Sequence, residues 1–180
     1  ELESARRVVE ALQVASHKMV SVDLAVLGGS ALTDDLEVPH GDIGEIVVKG
    51  AVVTPSYHNR AVATELAKIS DGDGLWHRMG DLGYFDDRGR IWFCGRKAHR
   101  VITEQGTLFT VPCEAIFNED PEVFRSALLG VGCAGTHRPV VCIELERAAR
   151  TKDTTDLTRR LLDRASAHEI TREIDTILYH

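Results

Sequence analysis

The stretch from His77 to Arg100, HRMGDLGYFDDRGRIWFCGRKAHR, holds the densest set of side chains able to handle a ligand. Gly80-Asp81 falls between two strand-like runs, residues 75–78 and 82–85. A glycine there admits a close backbone approach. The carboxylate can accept two hydrogen bonds, which suits the paired hydroxyls of a ribose. Arg88, Arg90, Arg96, Lys97 and Arg100 follow with no acid among them, a basic run that suits phosphates. The residue types alone favour a plainer reading, in which Asp81 is a turn residue and the arginines form a solvated face.

Other constellations carry less. Gly130, Gly132 and Gly135 spell G-x-G-x-x-G after a strand. A dinucleotide site needs a helix N-terminus next, but Pro139 opens another strand, so the glycines read as a hairpin. The eight histidines form neither H-x-x-H nor H-E-x-x-H, and metal binding gains no support. There is no G-x-S-x-G elbow and no G-x-x-x-x-G-K-[ST] loop. Cys94, Cys113, Cys133 and Cys142 match no zinc or C-x-x-C spacing and read as reduced, buried thiols of a cytosolic protein.

The elements that must position these residues are short. Apolar spacing predicts a helix over 4–13, a half-buried strand over 19–27, a loop over 31–44 and a strand over 45–49. A helix over 60–69 is closed by Asp71-Gly72-Asp73-Gly74. Residues 82–94 read as a hairpin turning at Asp86-Asp87-Arg88-Gly89. After a polar break at Arg96–Arg100, Pro112 opens a helix over 112–118. Strands follow over 126–131 and 139–145, then helical spacing over 155–178, broken around His168. The fold class is α/β, with a β-rich unit over 1–95 and a small α+β unit over 96–180.

With 43% hydrophobic and 27% charged residues, a chain of 180 can bury a core without staples. A net charge of −7 argues against nucleic acid as a partner. No apolar run approaches the roughly 18 residues of a membrane span. No basic-then-apolar leader follows Glu1, so a cytoplasmic protein is expected.

The order of the pieces changes the weighting. Gly44-Glu45-Ile46, Gly50, Tyr57, Asn59-Arg60 and Thr64 resemble the G-E-I…G…G-Y…N-R…T stretch of the adenylate-forming enzymes. His77-Arg78-Met79-Gly80-Asp81 resembles their R-T-G-D motif. Asp86 to Gly89 and Gly95-Arg96-Lys97 resemble their D-x-x-G…G-R-K run. Glu122-Val123 and the two strands after it resemble their small C-terminal domain. The likeness covers roughly residues 41–145. The runs Trp92–Val101 and Gln105–Leu108, with Met79, further resemble the β-lactone synthetases of bacterial long-chain olefin biosynthesis.

That resemblance implies an ATP-dependent ligase that activates a carboxylic acid as acyl-AMP, with a β-hydroxy fatty acid then closed to a β-lactone. Alternatives are an acyl-CoA or acyl-AMP ligase for fatty acids, or a non-catalytic truncated fragment. It implies that Asp81 and Arg96 bind the nucleotide and that Lys97 and Ala98 form a hinge between a large AMP-binding domain, whose C-terminal part would be 1–95, and a small domain, 96–180. Ala98 stands where Asp or Lys is usual, Met79 replaces a Thr, and Leu108 stands where Arg or Lys is common. The family's phosphate loop, its magnesium-holding Glu and its late catalytic Lys find no match. No catalytic residue is therefore assigned in this chain, the Mg²⁺ ligand is expected outside it, and the chain alone is expected to be inactive. Its implied partners are ATP, an acyl substrate, the N-terminal part of the same enzyme and other olefin-biosynthesis enzymes.

Overall fold

The computed structural model describes residues 22–28, 38–72 and 74–180. The expected helix over 4–13 lies outside them. The described structure is mixed α/β and strand-rich with three α-helices, and it divides into two compact units, Glu1–Phe93 and Cys94–His180.

The first unit is built on an antiparallel sheet of β1 (Val22–Leu27), β2 (Gly44–Gly50), β4 (Gly74–Phe85) and β3 (Lys68–Asp71), in that order, with β5 (Ile91–Arg96) also pairing with β4. Val26 and Ile46 are buried on one face of it and Val47 and Leu82 on the other, while Leu24 stays 36% exposed. Residues 75–78 and 82–85 are not two strands. They belong to one twelve-residue strand, β4.

The expected helix over 60–69 is shorter. Helix α1 spans Ala61–Ala67, and Lys68–Asp71 turn into β3, whose Lys68 and Ile69 face His77 and Trp76 across an antiparallel ladder. Asp71 and Gly74, paired with each other, thus belong to a hairpin rather than closing a helix. Backbone pairing with β4 prevails over a helical periodicity that is only local.

The β4–β5 turn falls at the expected place. Asp86 N–H donates to the Arg90 carbonyl and Gly89 N–H to the Asp86 carbonyl. The Asp86 carboxylate accepts from the backbone N–H of Arg88 and of Arg90, both at 2.9 Å, and from Trp92 Nε1 at 3.0 Å. Trp92 and Arg90 side-chain donors hold its pKa well below the ordinary 3.8.

In the second unit β8 (Val123–Val131) pairs antiparallel with β9 (Arg138–Leu145), and β10 (Thr176–Tyr179) adds parallel to β9. Helices α2 (Thr110–Phe117) and α3 (Thr155–Ser166) cover one face. Phe117, Val141, Ile143 and Leu161 form the dry centre of the core. A two-stranded ribbon, β6 (Val101–Ile102) with β7 (Thr107–Leu108), adds Val101 and Leu108 to it. The glycine run 130–135 is the β8–β9 hairpin.

Three expectations change here. Helix α2 begins at Thr110, so Pro112 is its third residue; its missing N–H falls among the first four, which have no partner within the helix. The second helix expected after His168 is absent. Thr171 folds back, its Oγ1 donating to the Ala165 carbonyl at 2.8 Å, and the chain enters β10. Of the four cysteines, none in a disulfide, Cys94 and Cys113 are buried but Cys142 is half-buried and Cys133 exposed.

Candidate functional site

Asp81 owes its placement to an interruption in the β2–β4 ladder. Ile46 pairs with Asp81 and the next residue, Val47, pairs with Arg78, so Met79 and Gly80 are extruded as a two-residue bulge. Gly80 has φ +70°, where L side chains are strained. Asp81 is half-buried, with its Oδ1 shielded from solvent. Met79, extruded, is 40% exposed.

The Tyr57-to-Thr64 motif builds the loop that enters α1. Thr64 Oγ1 donates to the Arg60 carbonyl at 2.9 Å and accepts from Tyr57 N–H at 3.0 Å. Asn59 sits at φ +51°, a conformation asparagine tolerates. Tyr57 meets His77 edge-on, and its ring lies 5.7 Å from Lys68 Nζ. Lys68 Nζ is buried without a hydrogen bond, and this desolvation lowers its pKa.

The second unit carries Arg96, Lys97 and Ala98. Arg96 ends β5 in extended conformation and is exposed. Lys97–His99 form a single 3₁₀ turn, which Arg100 closes by donating from Nη1 to the Lys97 carbonyl at 3.0 Å. Ala98 is exposed. Just before the turn Gly95 has φ +116°, and a Cβ there would collide with the Thr110 hydroxyl. Gly95 is therefore doubly required, by its backbone and by its contact with the start of α2. Leu108, one of the departures from the family pattern, is 5% exposed and packs in the core, where the charge of a Lys or Arg would be costly to bury.

Asp81 thus belongs to the first unit, and Arg96, Lys97 and Ala98 to the second. Within the basic run Arg90 is bonded to the Asp86 carboxylate and Arg100 to the Lys97 carbonyl. The Glu45–Arg78 ion pair and the buried Lys68 were not among the candidates that residue types offered. Glu45 opens the expected strand 45–49 and Arg78 closes the run 75–78, so neither position signalled burial. Lys68 gave no signal either, because it read as the end of a helix. Among the described residues, no group of three or more His, Cys, Asp or Glu comes together as a metal site.

The comparisons with known proteins fall on this same frame. The chain is 46% identical over 145 residues to an olefin beta-lactone synthetase of Xanthomonas campestris, covering 78% of this chain and 26% of the relative. It is 42% identical over 168 residues to an olefin beta-lactone synthetase of Stenotrophomonas maltophilia, covering 91% of this chain and 30% of the relative. A crystal structure of an ATP-bound RpMatB–BxBclM chimera superposes with a TM-score of 0.73 at 25% identity, over 88% of this chain and 30% of the other. Over most of its length the chain is similar to ligases of the adenylate-forming superfamily. It spans 26–30% of the length of these curated relatives. No family model matches it.

Proposed function

We propose that the chain is the C-terminal portion of an ATP-dependent ligase that converts a β-hydroxy fatty acid to a β-lactone through an acyl adenylate. The observation that carries this reading is the 46% and 42% identity to two olefin beta-lactone synthetases. Residues 1–95 would complete a large AMP-binding domain and residues 96–180 would make up most of a small mobile one.

In this reading Asp81 accepts hydrogen bonds from the two ribose hydroxyls of ATP and then of AMP. The bulge supports the assignment, because Asp81 is the first laddered residue after it and its carboxylate stays half-buried, where a charge-assisted hydrogen bond is strong. Arg96, exposed at the end of β5, supplies positive charge toward the phosphate side of the nucleotide. Lys97 and Ala98 form the pivot, and the single 3₁₀ turn between extended Arg96 and Arg100 is a segment in which a few dihedral changes would redirect the chain. ATP would arrive with Mg²⁺, whose ligands lie outside the described residues.

The chemistry balances without a further reactant. The substrate carboxylate attacks the α-phosphorus of ATP and releases pyrophosphate. The β-hydroxyl oxygen then attacks the acyl carbon, its proton is lost, and the acyl–phosphate C–O bond breaks to release AMP. The nucleophile is already tethered to its target, which can replace roughly 7–11 kcal/mol of entropic and solvent cost.

The test supplies the complete enzyme with a 3-hydroxy fatty acid, ATP and Mg²⁺, with and without CoA, and identifies the product by mass and NMR. A β-lactone formed equally well without CoA is expected. A CoA thioester formed only with CoA, and equally from acids lacking the 3-hydroxyl, refutes lactone closure in favour of acyl-CoA ligation. This chain alone should release no pyrophosphate above background in the same assay.

A further inference from the structure

The two ends of the Met79-Gly80 bulge are tied together on the face of the sheet opposite Asp81. Antiparallel register sets Glu45 against Leu82 and Val47 against Arg78, so Glu45 and Arg78 share one face, while Ile46 and Asp81 share the other. On that face Arg78 donates from both Nε, at 3.1 Å, and Nη2 to a single carboxylate oxygen, Oε2 of Glu45. The Arg78 and Glu45 side chains are only 17% and 7% exposed. Arg78 is the last laddered residue before the bulge. Glu45 is paired with Leu82, beyond it. The ion pair therefore bridges the two residues that the ladder omits.

A buried ion pair is a weak source of net stability, since well-packed apolar residues in its place are often as good or better. Its two-donor geometry does restrict the distance and direction between its ends. An unclamped bulge of two residues, one of them glycine, has several conformations open to it, and each would aim the next side chain differently.

We propose that Glu45 and Arg78 are positioning residues: their ion pair fixes the bulge and so the direction in which Asp81 presents its carboxylate to the nucleotide. The inference rests on the reading of Asp81 as the ribose-binding acid.

The test uses Glu45→Leu/Arg78→Met in the complete enzyme, because removing one partner alone strands a buried charge and endangers folding. Expected are an unchanged melting temperature, a KM for ATP raised about tenfold or more, an unchanged KM for the acid, and faster amide exchange at Met79–Asp81. Should the double variant fail to fold, Arg78→Lys carries the same readouts, because it keeps the charge but loses the two-donor fork. Native KM for ATP together with native exchange at the bulge overturns the proposal. Asp81→Asn is measured in parallel. If that variant leaves KM for ATP unchanged, the ribose assignment fails, and amide exchange at the bulge then decides the clamp on its own.

Discussion

Replacing Gly80 by alanine separates backbone strain from crowding at the point where Asp81 is aimed. Gly80 has φ +70°, and a Cβ built there meets no heavy atom within 4 Å. No steric clash contributes, so the effect is conformational. An L residue in the left-handed region costs roughly 1–2 kcal/mol. Against this, alanine reduces the entropy of the unfolded chain, an effect of about 0.4–1 kcal/mol in the stabilising direction. The net expectation is a loss of about 1 kcal/mol. Gly80→Asn should lose less, because asparagine visits this region more readily. Both tryptophans, Trp76 and Trp92, belong to the first unit, so tryptophan fluorescence during urea unfolding reports on it specifically. With a urea slope of about 1–3 kcal/mol/M, the midpoint should fall by roughly 0.3–1 M. A midpoint that rises in Gly80→Ala refutes the reasoning, since it would place residue 80 in ordinary backbone and remove the bulge geometry. Gly95→Ala should be worse, because its positive φ is joined by a collision with Thr110.

The second unit should respond to its core: Leu161, fully buried, should lose about 2–5 kcal/mol as Leu161→Ala in urea unfolding followed by circular dichroism. A loss below about 1 kcal/mol would mean that the site is not close-packed. Thiol labelling followed by mass spectrometry should modify exposed Cys133 in the native protein and leave Cys94 and Cys113 untouched, since burial pushes their pKa values up to about 11 and about 12. Native-state labelling of Cys113 at the rate of Cys133 would contradict the core assignment. Asp86 is held below its ordinary pKa of 3.8 by Trp92 and Arg90, so the stability it lends is complete above that value and disappears as pH falls below it. Asp86→Asn should flatten the tryptophan-detected loss of stability between about pH 4 and pH 2, and an unaltered acid profile would show that the turn does not depend on the charge.

How much of this was legible in the sequence depended on whether one period or two fitted the residues. The β4–β5 turn was legible because Asp86 and Gly89 satisfy their own backbone within five residues. The tail was not. Ile174 and Leu178 are four apart, a spacing that fits one helical turn and equally one face of a strand. Only the pairing of Leu178 with Cys142, far away in sequence, settles it as strand. Lys68 and Ile69 failed in the same way, since their partners His77 and Trp76 lie across a hairpin. Pro112 is tolerated throughout the first turn, so it indicated a helix start without fixing the first residue.

The site divides along a similar line. Most of the letters that carry the family resemblance hold geometry rather than chemistry. Thr64 ties the entry to α1, Asp86 and Gly89 turn a hairpin, and Gly95 lets β5 pass against the start of α2. Such residues are recognisable in order because each is required by its immediate neighbours. Asp81 is different. On residue types alone a plain turn reading fitted it better than a ligand-binding one. What separates the two readings is the ladder, which runs Ile46–Asp81 and then Val47–Arg78 and so makes the acid the first laddered residue after a bulge inside a continuous strand. A turn residue ends its strand, whereas Asp81 sits within one that continues to Phe85. The acid stands in mid-strand, half-buried, directly after an extruded pair rather than at a turn. That is the physical reason to look for its role in a ligand.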